Sequence, residues 1–330
     1  MSFIDEIPES SHFPKGPLAT LDDVWNCYRL LLNREPDAGG FETHAAIVRN
    51  GASVDELWRL FVASPEYAGR VASLTDPTVA RTSLEGFDLF VPKADAVGGQ
   101  ILTNGTYEPH VTEAIRAALR PGQLFLDIGA NVGYFTILAA KAVGPSGQVI
   151  ALEPLARNVK LLLANARTNA ADNVLILPFG ASDSDGFITL LATGSTASSR
   201  ETQLEDLTSA SALEIAYSLT VDSVAPEDRP IDIVKIDSHG FDHRAMVGAQ
   251  ESLQRSHPQV FAKFAPGPLA EFSQIDPIEY LRLFQAAGYN DFNVLRREGP
   301  PLSAQNDIDL IARLPAEEGV AHLDLHIRRV

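Results

Sequence analysis

The stretch Phe125-Leu-Asp-Ile-Gly-Ala-Asn-Val-Gly-Tyr-Phe-Thr136 limits what this chain can fold into more than any other. A short apolar run stops at a glycine-rich turn and restarts with helical spacing, which reads as strand, loop, helix. Asp127, Gly129 and Gly133 mark the turn, with Tyr134 opening the helix. Glycines there let the backbone approach a ligand closely, and the helix beyond offers unpaired amide donors. Such a turn suits a nucleotide-like cofactor. Its spacing, D-x-G-x-x-x-G, differs from the dinucleotide pattern G-x-G-x-x-G, because Asn131 stands where a second glycine would admit a pyrophosphate. That tilts the reading towards S-adenosylmethionine.

Around this stretch strand-like and helix-like segments alternate with little slack, the mark of a mostly parallel, doubly wound α/β sheet. Strands are expected at 123–128, 148–153, 174–178, 231–236 and 259–264, and helices at 133–143, 155–169, 242–254 and 276–287. The apolar segments 291–295 and 307–313 are expected to close the edge. Upstream, 80–92 reads as a strand, Gly98-Gly-Gln-Ile-Leu as a second short one, and 109–119 as a helix ending before Pro121-Gly122. Residues 193–215, rich in hydroxyls, read equally as a solvated connector or as a lid over a pocket.

A formal net charge of −17 argues against tracking nucleic-acid phosphates or an anionic membrane surface, so neither is an expected partner. Cys27 is the only cysteine, which excludes an intrachain disulfide and a cysteine-built zinc site. Met-Ser-Phe-Ile-Asp-Glu-Ile-Pro lacks the basic and apolar regions of a signal peptide, and no apolar run reaches membrane-spanning length. A cytoplasmic location is the expectation.

The first part of the chain is organised differently. Residues 1–19 carry prolines, serines and acids without periodicity and read as a flexible arm. From Thr20 to about residue 75 the spacing predicts a small all-helical domain, with turns at Asp37-Ala-Gly-Gly and Asn50-Gly51. The run Tyr28-Arg-Leu-Leu-Leu-Asn-Arg34-Glu-Pro-Asp37-Ala-Gly-Gly40, followed by Ser64-Pro-Glu-Tyr67, resembles a short helical domain of unknown function that recurs beside bacterial glycan-modifying domains. The expected role of Arg34 and Asp37 is a turn-locking ion pair. The module itself is expected to serve for docking to a protein partner or for self-association.

Chemistry concentrates in residues 80–330. Glu153, ending the second strand in Ala151-Leu-Glu-Pro154, is placed to accept from both ribose hydroxyls of a cofactor. Gly180 and Ala181 belong to a small-residue segment expected beside the adenine. In Lys235-Ile-Asp237-Ser-His239-Gly-Phe-Asp242-His243, the ends of a strand and of its turn should face the reactive end of that cofactor. Methyl transfer to a hydroxyl needs alignment and a base, so His239 is the candidate base and Asp237 the group that orients it or the substrate. Asp237, His239 and Asp242 also form a weak candidate metal set, although a divalent metal is not expected.

Residues 84–314 resemble a methyltransferase of the FkbM family, through Gly105-Thr-Tyr-Glu-Pro109, Asp127 to Thr136, Ala151-Leu-Glu-Pro154, Thr220-Val-Asp-Ser223 and Ile233-Val-Lys-Ile-Asp-Ser-His-Gly240. The resemblance implies a Rossmann-like class I methyltransferase sheet of seven strands, the last antiparallel, and O-methylation of a sugar or natural-product hydroxyl using S-adenosylmethionine. It also implies Tyr107 and Glu108 over the methionine end of the cofactor. The chain departs from the family where His239 and Lys263 replace glutamates. Lys263 and His243 are therefore candidate acceptor-binding residues, with pairing to Asp237 as the structural alternative for Lys263. Two other readings stand beside methyl transfer: a cofactor-binding docking protein without activity, and a nicotinamide-dependent oxidoreductase.

Overall fold

The computed structural model describes residues 18–72, 78–193, 196–201 and 213–330. Most of the arm expected at 1–19, and residues 194–195 and 202–212 of the connector, lie outside them. The chain divides into two compact units. One holds the residues up to Ala68 together with Ser223–Arg229; the other holds Gly69–Asp222 and Pro230–Val330.

The helices of the first unit start at side-chain caps. Helix α1 (Leu21–Leu31) begins with a reciprocal box between Thr20 and Asp23, α2 (Ala38–Arg49) with the Asp37 carboxylate accepting from Gly40 N, and α3 (Val54–Val62) with a Ser53–Glu56 box. Each cap satisfies amides that a helix start leaves orphaned. Helix α4 (Pro65–Ala72) follows. Val24, Cys27, Leu31, Leu57 and Phe61 are buried at helical spacing and form the core. Arg34 does pair with Asp37, at 3.3 Å, but its stronger partner is Glu66, bound through two bonds of 2.7 and 2.9 Å. Its guanidinium also lies 4.8 Å from the Tyr28 ring centroid. Tyr28 packs so closely on the next turn that a Cβ at Gly40 would meet its Oη at 2.3 Å.

The second unit opens with the hairpin β1 (Val79–Leu84) and β2 (Phe87–Pro92), followed by helices α5 (Ala96–Asn104) and α6 (Pro109–Ala118). The segment Gly98-Gly-Gln-Ile-Leu is thus helix and not the expected strand. Asp95 caps it, accepting from Gly98 N at 2.6 Å, and an apolar pair as short as Ile101-Leu102 has no period of its own to oppose that. Strand β3 (Leu124–Ile128), helix α7 (Tyr134–Val143), strand β4 (Gln148–Leu152), helix α8 (Ala156–Thr168) and strand β5 (Val174–Leu177) then alternate as expected.

A small second sheet follows, which was not expected. It is formed by β6 (Gly180–Ala181), β7 (Gly186–Thr193), β8 (Thr196–Glu201) and β9 (Glu214–Leu219), in the order β6-β9-β7-β8. Its inner face sends Ile188 and Leu190 against Leu155 and Phe241. After the short helix α9 (Val221–Val224), the main sheet resumes with β10 (Ile233–Ile236), helices α10 (Asp242–Val247) and α11 (Gln250–Ser256), β11 (Gln259–Phe264) and α12 (Ile278–Ala286). It ends with β12 (Asp291–Leu295), β13 (Leu302–Gln305), α13 (Ile308–Glu318) and β14 (Leu323–Arg328).

The main sheet runs β13-β12-β14-β11-β10-β3-β4-β5. Strands β5, β4, β3, β10 and β11 are parallel, and the last strand, β14, is inserted antiparallel between β11 and β12. The expected pattern of seven strands with the last antiparallel is present, and β13 adds an eighth at the edge. Segment 307–313 is helical and does not close the edge as a strand. Asp307 caps it, accepting from Leu310 N, and Ile308, Ile311 and Leu314 are buried at helical spacing. Strands β3, β4 and β10 are buried along their whole length, so only their carboxyl ends meet solvent.

Candidate functional site

A cleft opens at those carboxyl ends, where ligands of open α/β sheets bind. Gly129, Asn131, Glu153, Gly180, Ala181, Asp237 and His239, all singled out in the sequence, line it together with Phe179, Ile188, Ser238 and Phe241. The last four were not singled out. Ile188 comes from the second sheet, and Phe179 and Phe241 look like core residues in a sequence.

The turn after β3 is shaped by close approach. Gly129 has φ +79°, and a Cβ there would lie 2.1 Å from the Asp237 carbonyl oxygen. Glycine is required because two strand ends touch, besides any need of a ligand. Gly133 does not line the cleft: with φ +92°, its missing Cβ leaves room for Leu162 of α8. Asp127 is fully buried behind the turn and accepts a bond of 2.5 Å from Thr136 Oγ1. Tyr134 is buried as well; its ring packs edge-on against Phe87 and Phe135, and its hydroxyl meets Thr106 Oγ1 at 2.9 Å. These three shape the turn from the core side.

Glu153 is at once a cleft residue and a structural tie. Its carboxylate accepts from Asn131 N at 2.8 Å, Leu155 N at 2.9 Å and Asn158 Nδ2 at 3.2 Å. Three donors leave about one of the four lone-pair sites of a carboxylate open. Burial pushes the carboxyl up to about 7 against the pull of those three donors.

Asp237 ends β10 and is 8% exposed. Its Oδ2 accepts from Lys263 Nζ at 2.6 Å and lies 3.9 Å from Lys235 Nζ. Burial alone would raise the carboxyl, but Lys263, His239 and Lys235 outweigh it and hold it well below the usual range. Its Oδ1 is buried and has no hydrogen-bond partner among the described residues, with His239 Nδ1 3.9 Å away, too far for a bond. His239 itself sits at φ +50° with its ring about one third exposed. Asp242 closes the turn below them, accepting from Ser238 N and Gly240 N at 2.8 Å each.

Tyr107, Glu108, Lys263 and His243 lie outside the cleft. Glu108 and Lys263 line an adjoining hollow with Lys235, Asp237 and Asp324, and Tyr107 packs on Tyr134 and Phe135. His243 is half-buried on α10, where desolvation lowers its pKa. Asp183 is taken by Arg244, at 2.9 Å. Among the described residues, Glu108, His322 and Asp324 form a group whose ligand atoms lie within 4.8 Å of one another. It differs from the set suggested by the sequence, and Lys263 already pairs with Glu108, and His110 with Asp324.

A parallel sheet with its last strand inserted antiparallel, and a ligand cleft at the carboxyl ends beside an acidic residue closing β4, defines a Rossmann-like class I methyltransferase fold. Residues 127–290 match the methyltransferase FkbM domain. That stretch is an FkbM-family methyltransferase domain, whose cofactor is S-adenosylmethionine. An arsenite methyltransferase of Halobacterium salinarum is 38% identical over 58 residues, 18% of this chain and 15% of that protein. Methyltransferase FkbM of Methylobacillus flagellatus is 13% identical, with 92% of this chain and 58% of that one covered at a TM-score of 0.41. An S-adenosylmethionine-dependent O-methyltransferase of Thermotoga maritima is 12% identical, with 74% of each chain covered at 0.40. The chain thus spans 58% of the first of these two structures and 15% of the arsenite enzyme.

Proposed function

We propose that this chain transfers the methyl group of S-adenosylmethionine to a hydroxyl of a sugar or secondary-metabolite acceptor. The observation that supports the reading is the pairing, at one cleft, of a buried carboxylate oxygen lacking a partner, Asp237 Oδ1, with a solvent-reachable imidazole, His239. A carboxyl held that far down takes no proton at neutral pH, so Asp237 orients and His239 is the base. A neighbouring hydroxyl of the acceptor donates to Asp237 Oδ1, which aligns the reacting hydroxyl to donate to His239. The reacting oxygen forms the new bond to the methyl carbon as the carbon–sulfur bond breaks. The electron pair of that bond goes to sulfur, leaving S-adenosylhomocysteine, and the hydroxyl proton goes to His239. At the other end of the cleft, Glu153 takes one ribose hydroxyl, and Gly180 and Ala181 leave space for the base.

Calorimetric titration with S-adenosylhomocysteine and with NAD tests the cofactor half: binding of the first and silence of the second are expected. No binding of S-adenosylhomocysteine would sink the reading. A panel of hydroxylated acceptors with labelled cofactor tests the other half. There His239→Ala should slow turnover by about 10²–10⁴-fold while cofactor affinity stays within a few-fold; full activity in that variant removes His239 as base.

We further propose a cytoplasmic protein of three parts, an arm at 1–19, the helical domain at 20–75 and the methyltransferase domain at 80–330, with the helical domain serving to dock a protein partner or a second copy. Leu21 and Trp25, four residues apart on α1 and exposed by 40% and 41%, support this, with Leu18 just before the helix exposed by 69%. Sedimentation of the whole chain against a Leu21→Ser/Trp25→Ser variant reads self-association; no difference argues against a second copy.

A further inference from the structure

Lys263 occupies a position that the chemistry of methyl transfer does not by itself require. It leaves the carboxyl end of β11, and its ammonium lies 2.6 Å from Asp237 Oδ2 and 2.8 Å from Glu108 Oε1. Its side chain is 13% exposed. The two carboxylates come from different elements, the end of β10 and the residue before α6. Burial opposes the charge, yet Asp237 and Glu108 hold the ammonium firmly protonated. Glu108 gives up local stability for this contact. It stands at the N-cap of α6 with φ 42° and ψ 65°, a left-handed conformation that costs a non-glycine residue energy, and its side chain makes no cap bond. A glutamate that neither caps its helix nor relaxes its backbone is aimed at something, and that something is Lys263.

The surroundings are acidic. Asp127, Asp242 and Asp324 lie near the pair, with Lys235, His239, His322 and the Tyr107 hydroxyl as the other polar groups facing it. Buried carboxylates in this number need a cation. On the methyltransferase reading of the cleft, we propose that the Lys263 ammonium is the resident cation of the acceptor site, a positioning residue that pins Asp237 by Oδ2 so that Oδ1 faces an acceptor hydroxyl without any divalent metal. Beside Glu108, His322 and Asp324 the charge a metal would supply is thus covalently attached. Removing the ammonium leaves Glu108, Asp237, Asp324 and His322 as a set of hard oxygen and imidazole ligands, the kind that takes Mn²⁺.

Two variants test this in the full-length protein. Wild type should bind no Mn²⁺ at this site by electron paramagnetic resonance and should turn over equally with and without a chelator. Lys263→Met should gain one Mn²⁺ site and be stabilised by Mn²⁺, and its kcat should fall by about tenfold or more with S-adenosylhomocysteine affinity little changed. Lys263→Arg, which keeps the charge, should recover part of kcat without metal. Glu108→Gln/Lys263→Gln removes one charge of each sign and so spares the fold; its kcat should fall as well, with the KM for the cofactor unmoved. Wild-type kcat in the double variant, or a Lys263→Met protein that is as stable as wild type and indifferent to Mn²⁺, overturns the proposal. Wild-type turnover that disappears with the chelator and returns with Mg²⁺ or Mn²⁺ overturns it too. Failure of the wild type with every acceptor counts against methyl transfer alone, because the Mn²⁺ measurements need no turnover.

Discussion

Single residues in this site serve the fold and the chemistry together, and Glu153 is the clearest case. Its carboxylate bonds to Asn131 N, Leu155 N and Asn158 Nδ2 hold the turn after β3 against the end of β4. Burial pushes it up to about 7 from an ordinary value of 4.5. A ribose hydroxyl donates to the ionised form, so ligand binding strengthens as pH rises through about 7 and then levels off. At pH 6 the binding-competent fraction is about a tenth, and S-adenosylhomocysteine affinity is expected to be about tenfold weaker than at pH 8. Calorimetry across that range checks it; equal affinity at pH 6 and pH 8 would contradict it. For the ligand-free protein the sign is reversed: a carboxyl whose folded value lies above its unfolded one loses stability as pH climbs from about 4.5 to 7. Glu153 stands out in the sequence because motif and spacing are local. Its three structural partners do not, since two of them are backbone amides that any residue would supply.

At the scale of elements, what holds the site is less the strands than the side chains that stitch helices to them. Asn165 of α8 is fully buried. It accepts from Phe90 N at 2.6 Å and donates to Phe90 O at 3.1 Å and Val132 O at 2.7 Å. Asn169, one turn on, repeats the pattern with Asp88 N and O at 3.0 and 2.7 Å. Two side-chain amides thus pair with β2 as a neighbouring strand would, and Val132 ties them to the cofactor turn. Asn165→Ala leaves three backbone groups without their partner and should cost about 2–4 kcal/mol, read from urea unfolding, with cofactor affinity reduced as the turn loosens. Element types were legible wherever the apolar period was long, as in β3, β4 and α8. They were not at 98–102 and 307–313, where a few apolar residues fit either period and a capping aspartate, Asp95 or Asp307, decided for helix. In the first unit the Arg34–Asp37 pair was readable at three residues' separation; the two-bond partner Glu66, 32 residues away, was not. Both are surface-exposed enough that the cluster contributes modestly to stability.

For the molecule as a whole, the topology makes the C-terminal residues part of the site. Strand β14 lies between β11, which carries Lys263, and β12. Deleting 291–330 removes β12, β13 and β14 and bares the edge of β11, whose partners Leu323, Leu325 and Ile327 are buried in the intact protein. The truncated chain, although it keeps residues 127–290, is expected to aggregate or to bind a hydrophobic dye, and soluble S-adenosylhomocysteine binding by it would contradict this.

The sequence by itself singled out Gly129, Asn131 and Glu153, which line one cleft, because they stand in short motifs whose geometry is fixed by neighbours in the chain. It also determined the alternation that makes a parallel sheet, since buried strands and amphipathic helices differ in apolar period. Only the tertiary structure decided the acceptor end. Glu108 and Lys263 are 155 residues apart and Asp237 and Lys263 are 26 apart, and their meeting depends on how β10, β11 and the residue before α6 are laid side by side. A buried charge takes its partner from whatever the fold brings within reach, and the sequence records the charges without recording the distances.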